Sequence, residues 1–402
     1  MRANGVMVCV LMSMISLPGL AKDKKDRAFY ETKKNFYDKD KEYLVTDYSP
    51  YEHVRSIEAY NPVYHTPPIR QDTTSTCWCF CTTSFLESEL HRLGKGDYQL
   101  SRMYTVYWEY IEKIRRFIQQ KGESLVAEGS QPNAVINIMK KYGAVRASDY
   151  SGFLGEATVH DHRELHKEIL AYLDYVREHE RWFEDEVLAH IKLILNRHLG
   201  APPQMIVVDG VEMSPKEFMS NVLQLPLDEY VSVMSFKKMP FWTQDSYDVP
   251  DNWWHSKEYY NVPINDFCGA ITQAIRNNYS LVIMGDVSEP GKHGWQDIGI
   301  IPSFDIPSEY IDQDSREFRF YNKTSTDDHG MHLIGYKRYK GEDWFLIKDS
   351  AASAWNGEFP GYHFFHQDYL KLKVLAFMTH RDAIPALLDN MRKIQTDKNF
   401  TE

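Results

Sequence analysis

Three cysteines crowd into Cys77-Trp78-Cys79-Phe80-Cys81, and Cys268 stands apart far downstream. Their alternate spacing fits neither a zinc knuckle nor a redox Cys-x-x-Cys pair, which leaves packing or one reactive thiol. Thiol attack on a carbonyl needs something that favours the thiolate, a base that shuttles protons, and donors for the developing oxyanion. Cys77 follows Gln71-Asp72-Thr73-Thr74-Ser75-Thr76, a composition that starts helices, so free first-turn N–H groups and the positive helix end would lie beside it. Gln71, six residues earlier, can present a side-chain amide N–H. His329 opens the run Gly330-Met331-His332-Leu333-Ile334-Gly335-Tyr336, and Asp349 closes Phe345-Leu346-Ile347-Lys348. An aspartate there can accept from the ring N–H of His329, hold its tautomer and favour imidazolium.

Other residues of chemical interest have structural readings. Cys79 and Cys81 are expected to pack their helix, and Cys268 to pack beside Phe267 and Gly269. His332 alternates with Met331 and Leu333 and is expected to face the sheet. His363 and His366 have no Cys or acidic partner at ligand spacing, so solvated aromatic packing is expected of them, and neither metal nor cofactor is called for. Asp286 and Glu289 flank the turn Gly285 to Gly291 and read as turn residues.

The elements that must position these side chains are helical first and strand-rich later. Pro67-Pro68 breaks the chain before the Cys77 segment, and Phe80, Phe85, Leu86 and Leu90, closed by Gly94, predict a helix from Cys77 onward. Residues 101–120 and 134–141, the latter closed by Gly143, predict two more. Leu165, Ile169, Tyr172 and Val176, then Phe183, Val187, Ile191 and Leu195, recur at helical spacing until Gly200-Ala201-Pro202-Pro203. They predict a long helical insertion at about 155–250. Beyond Asp251-Asn252-Trp253-Trp254 come β-like runs at 280–284, 331–336, 344–348 and 372–378, and helix returns after 383 with a polar tail. The fold class is therefore α+β.

Composition sets the outer bounds. The 402 residues are 43% hydrophobic and 26% charged, enough apolar material for a sizeable core and unlike a disordered or fibrous chain. A formal charge of −11 without a basic stripe argues against nucleic acid as a partner. Arg2, the apolar run 6–17 and Pro18-Gly19-Leu20-Ala21 ahead of Lys22-Asp23-Lys24-Lys25 read as a cleavable export signal at 1–21, which predicts a periplasmic or extracellular protein with no membrane span after cleavage. With only four cysteines left in the exported chain, a disulfide framework is not expected.

Taken with their spacing, the Cys, His and Asp blocks resemble the papain-like cysteine peptidases (family C1), and within them the bleomycin hydrolase and aminopeptidase C branch. Gln71 stands before Cys77-Trp78 as the family's oxyanion Gln does; His329 precedes Gly335-Tyr336 as its catalytic His does; Lys348-Asp349-Ser350 and Trp355 occupy the places of its orienting Asn block. Gly129-Ser130-Gln131-Pro132 resembles the ledge that holds substrate backbone, and Leu100-Ser101 a further landmark. The helical insertion and Tyr260-Asn261-Val262-Pro263 point to the branch. The resemblance implies a two-lobed fold, a helical lobe facing a twisted antiparallel sheet lobe, over residues 61–382, preceded by a lead-in at 22–60. It implies catalysis by Cys77, His329, Asp349 and Gln71, with Gly129, Ser130, Asp328 and Trp355 on the substrate side. Peptide or protein would be the substrate, with aminopeptidase action, and a homo-oligomer stays open. In that branch a C-terminal arm, here within 383–402, captures the substrate's ammonium group.

The sequence departs from the family at Asp349 for Asn, Ala351 for Trp, Asp72 and Ser75 for loop glycines, and Ser130 for the second ledge glycine. Ser75 and Ser130 are expected to narrow the cleft upstream of the scissile bond. An impaired homologue acting as a binding protein, or an endopeptidase, are the alternative readings. The substitution Asp349→Asn, which restores the family's residue, is expected to retain activity.

Overall fold

The computed structural model describes residues 30–34, 42–46, 48 and 51–399. The expected export signal and the last three residues of the expected C-terminal arm lie outside the described residues. The chain divides into two units, Met1–Glu52 and His53–Glu402. In the first, β1 (Tyr30–Lys34) and β2 (Glu42–Thr46) form an antiparallel hairpin with Tyr30 opposite Thr46.

The second unit carries the helices and the large sheet. Helix α1 (Cys77–Arg92) is buried along almost its whole length, from Trp78 to Leu90. Helix α2 (Arg102–Gln119) starts at Ser101, whose hydroxyl accepts from Tyr104 N at 3.1 Å. Helix α3 (Pro132–Tyr142) begins on proline and ends at Gly143, held at φ 80° where a Cβ would overlap the backbone at Pro215. The expected insertion is two helices, α4 (Arg163–Glu178) and α5 (Glu184–Leu199). The break has a local cause: Glu180 adopts φ 51°, outside helical space, and Glu184, Asp185 and Glu186 then favour a new helix N-terminus. Helical structure of the insertion ends well before 250, because β3 (Tyr230–Met234) already belongs to the main sheet.

Among the described residues that sheet has ten strands. Its centre is β4 (Leu281–Gly285). Farther along the chain come β5 (Lys292–His293), β6 (His329–Tyr339), β7 (Glu342–Lys348), β8 (Tyr362–His366) and β9 (Val374–His380). Strand β4 pairs with β6 on one side and β9 on the other, and β7 and β8 follow β6, all antiparallel. Alternation divides the core. Val282 and Met284 face the helices, whereas Leu281 and Ile283 face the opposite side, where Phe267 and Ile271 of helix α6 (Ile264–Arg276) pack. Residues 367–373, expected in part as strand, form helix α7 (Gln367–Lys373) before β9. Its last residue, Lys373, is buried and lies 3.5 Å from Asp286, bonds Glu289, and donates to Ser325 Oγ at 2.8 Å. Asp286 and Glu289 thus neutralise a buried ammonium, which corrects the reading of them as turn residues alone. The C-terminal helix α8 (Pro385–Asn399) packs Leu387, Leu388 and Met391 into the core on the α6 side.

Helix α1 lies directly on β6. A Cβ on Gly330 would come 2.8 Å from both Cys81 Sγ and Met284 Sδ, so glycine at this position permits the close approach that sets the start of α1 beside the start of β6. Among the described residues no helix is long and apolar enough to cross a membrane.

Candidate active site

Cys77 is the first residue of α1 and is partly exposed, whereas Cys79 and Cys81 on the same helix are buried. Thr76 stands at the cap position, but its hydroxyl bonds Thr74 Oγ1 at 2.7 Å instead of closing the helix end. Among the described residues neither Cys77 N–H nor Trp78 N–H has a partner, so the positive helix end is left open at the thiol. Burial pushes the other thiols up, Cys79 to about 12, Cys268 to about 11, and Cys81 well above its ordinary value.

His329 meets Cys77 from the sheet lobe. Burial opposes its charge, but Asp349, Cys77 and the hydrogen bonds to both outweigh this and raise it to about 10. Its Nε2 lies 2.7 Å from Asp349 Oδ1, which also accepts from Ala351 N at 2.8 Å. This bond on Nε2 leaves Nδ1 for the thiol side.

Asp349 is buried, and its second oxygen has partners that sequence reasoning missed. Lys292 Nζ donates to Oδ2 at 3.0 Å with its side chain only 4% exposed, and His363 Nε2 lies 3.3 Å from the same oxygen. Burial disfavours the carboxylate, yet Lys292 and His329 together hold it well below the usual range. His363 is fully buried and pulled down to about 4, first by burial and then by Lys292, so it stands neutral beside Asp349. This overturns the expectation that His363 packs among solvated aromatics: β8 lies next to β7, and the register opposes His363 to Ile347, two residues before Asp349. With the thiol ionised, Cys77 and Asp349 supply two negative charges and His329 and Lys292 two positive ones. An aspartate in place of a neutral amide calls for such a cation, the one sequence signal that could have prompted a search for Lys292.

Gln71 is buried on the incoming loop. Its Nε2 donates to Thr74 O at 2.8 Å, and its Oε1 accepts from Ser350 Oγ at 2.8 Å, so the amide is fixed with its nitrogen toward the loop that enters Cys77. One of its two N–H groups is thereby used. Asp72, at a place where the family has glycine, adopts φ 54°, a conformation aspartate tolerates better than most residues. Ser75 N donates to Glu128 Oε2 at 3.0 Å, and Trp78 Nε1 to Glu128 O at 3.0 Å, which fastens the next candidate stretch, Gly129-Ser130, to the start of α1.

The remaining candidates are placed differently. Ser130 is 1% exposed and donates to Glu109 Oε1 at 2.7 Å under the indoles of Trp253 and Trp254. Asp328 is exposed and bound to the distant turn after β4, accepting from Val287 N at 2.9 Å and from Ser288 Oγ. Trp355 lies in a short turn of helix after Asp349, with the Arg70 guanidinium 5.6 Å from its ring. His332 bonds Ser84 at 2.9 Å inside the core. The structure thus brings Gln71, Cys77, His329 and Asp349 together and sets Asp328 and Trp355 at the margin.

No protein-family model matches the chain. It is similar to Aminopeptidase C of Listeria innocua serovar 6a, 24% identical over 219 residues that make up 44% of this chain and 48% of that protein, so the chain spans about half the length of this relative. Aminopeptidase C of Listeria monocytogenes serovar 1/2a is 22% identical over 366 residues, 76% of this chain and 81% of that protein. Among solved structures, PepW from Lactobacillus rhamnosis matches with a TM-score of 0.65 at 18% identity, covering 84% of this chain and 85% of that one. At that identity the likeness concerns the fold, which is the papain-like α+β fold.

Proposed function

We propose that this chain, a papain-like relative of the aminopeptidase C proteins, is a cysteine peptidase that removes residues from the amino end of peptides. The observation that carries the proposal is the buried chain of charge from Lys292 through Asp349 to His329, ending at the open first turn of α1 where Cys77 sits. The Cys77 sulfur attacks the carbonyl carbon of the substrate, forming a C–S bond, while the carbonyl oxygen takes the negative charge and meets the Cys77 N–H and the free N–H of Gln71. His329, held as imidazolium by Asp349, gives its proton to the leaving amine as the C–N bond breaks. Neutral His329 then takes a proton from water, whose oxygen attacks the thioester and releases the acid product and the Cys77 thiolate, which restores the starting ion pair. Asp349 keeps the ring oriented in both steps.

Treatment with an aminoacyl fluorogenic amide tests the reading. Turnover that is abolished in Cys77→Ala and strongly reduced in His329→Ala is expected; turnover that survives Cys77→Ala would overturn it. Export rests on the sequence alone, and amino-terminal sequencing of the protein from its native source, expected to begin at Lys22, tests that.

A further inference from the structure

The oxyanion of the acylation step meets two donors that stand at the ends of one loop. Cys77 N–H and the Gln71 amide are six residues apart, so the path of residues 72–76 decides whether both reach one oxygen. At the Gln71 end the sheet lobe holds the loop: Gln71 N donates to Ser350 O at 3.0 Å, and Ser350 Oγ donates to Gln71 Oε1 at 2.8 Å. The middle needs other support, because Asp72 adopts φ 54° and residues 72–76 belong to no helix or strand. That support comes from the segment leading into the helical insertion. Thr73 N donates to His160 O at 3.0 Å, His162 N donates to Thr73 O at 3.1 Å, and His160 N donates to Asp72 Oδ2 at 3.1 Å. Asp72, which stands where the family has glycine, thus makes a bond that glycine could not.

His162 stands at the cap position of α4 and is buried, and its ring turns to Glu128, with Nδ1 2.8 Å from Oε1. The same oxygen accepts from the Tyr110 hydroxyl at 3.1 Å, and Oε2 accepts from Ser75 N at 3.0 Å. Burial disfavours the Glu128 charge, but the bonds from His162, Ser75 and Tyr110 outweigh it and hold the carboxyl below its ordinary value. A carboxylate only accepts, so His162 carries a proton on Nδ1. These bonds close a ring. It runs from Ser75 N to Glu128, from Glu128 to the His162 ring, from His162 N to Thr73 O, and along the chain back to Ser75. Such a network holds its members more firmly than separate bonds would. Glu128 also accepts from Trp78 Nε1 on its main-chain oxygen, so the residues on both sides of the thiol hang on it. Neither Glu128 nor His162 takes part in a proton transfer or a bond change of the hydrolysis.

We propose that Glu128 and His162 are positioning residues for the oxyanion: through Ser75 and Thr73 they hold the loop in the path that brings Cys77 N–H and the Gln71 amide to one oxygen. The proposal rests on the peptidase reading for the step it serves, and it makes the helical insertion, which opens at His162, part of the scaffold of the active site. Donors stabilise the developing charge only when they stand ready at the right distance, and a displacement of about 1 Å costs on the order of 100-fold in rate.

The test sets a reaction that makes an oxyanion against one that makes none. An amino-acid aldehyde adds to Cys77: the sulfur forms a C–S bond, and the carbonyl oxygen takes the electron pair and then the proton of His329. Iodoacetamide alkylates the same sulfur by displacing iodide, with no charge placed on oxygen. In Glu128→Ala, and separately in His162→Phe, kcat on an aminoacyl amide should fall about 10–100-fold with KM little changed, and the aldehyde should protect Cys77 from alkylation less well by a similar factor. The rate of Cys77 alkylation by iodoacetamide should stay as in the unmodified protein, which also reports that the start of α1 is intact. Glu128→Gln can accept from Ser75 N through its amide oxygen and donate to the other tautomer of His162, so it should recover most of the loss. Equal losses in the aldehyde and iodoacetamide reactions would overturn the proposal, as would Glu128→Gln being as impaired as Glu128→Ala. If the aldehyde responds as expected but the unmodified protein hydrolyses no amide, the peptidase reading fails and the positioning role stands; if hydrolysis persists undiminished in both variants, the positioning role alone fails.

Discussion

Replacing Asp349 by the family's asparagine would keep the shape of the side chain but remove a charge that three groups share. In Asp349→Asn the amide oxygen could still accept from His329 and from Ala351 N, as Asp349 Oδ1 does at 2.7 and 2.8 Å. The amide nitrogen, however, would face Lys292 Nζ, now 3.0 Å from Oδ2, setting donor against donor. Lys292 would keep only the Ser353 hydroxyl at 3.3 Å, with its side chain 4% exposed. Removing one partner of a buried ion pair costs about 3–5 kcal/mol, so Asp349→Asn should be destabilised by roughly that amount although it restores the family's residue. Removing the stranded charge as well should recover part of it: Asp349→Asn with Lys292→Met should be more stable than Asp349→Asn alone by about 2 kcal/mol, the signature of coupled sites. Urea denaturation of the unmodified protein, both single variants and the double variant closes the cycle. Stability losses that simply add would refute the argument that Lys292 is present to balance Asp349.

Other outcomes follow from the same geometry. Cys77 should be alkylated before Cys79, Cys81 and Cys268, whose thiols are raised by burial; peptide mapping of a short iodoacetamide exposure that finds the first adduct on another cysteine would contradict this. Folded His329 keeps its proton to about 10 against 6.5 when unfolded, so its stabilisation is complete below 6.5 and fades as pH climbs toward 10. Asp349, held low in the fold, contributes fully above 3.8 and loses its contribution as pH falls further. Denaturation midpoints should therefore drop between pH 6.5 and 10 in the unmodified protein and drop less in His329→Ala. Gly330→Ala would push a Cβ to 2.8 Å from Cys81 Sγ and Met284 Sδ and should cost about 1–3 kcal/mol while weakening turnover, because α1 and β6 would have to separate; an equally stable and active variant would show the approach to be unimportant.

Local signals in the chain were enough for much of this architecture. Proline breaks, helical spacing and period-two runs located α1, α2, α3 and the strands that carry His329 and Asp349, because these signals act over a few residues and need no partner. Gln71, Cys77, His329 and Asp349 were legible as a set because their types and order along the chain mark one chemistry. The rest depends on contacts between segments far apart in the chain. Lys292 and His363 meet Asp349 only because β5 and β8 are laid into the same sheet region, and nothing in their own neighbourhoods marks them. The point at which the expected helical insertion divides into two helices is Glu180, a backbone conformation that apolar spacing does not encode. The seating of Asp251 on Gly129 and of Trp253 on Ser130 was beyond sequence reasoning for the same cause: the energy that seats a loop on a distant glycine comes from packing and hydrogen bonds across more than a hundred residues of chain, and a linear pattern carries no record of such a contact.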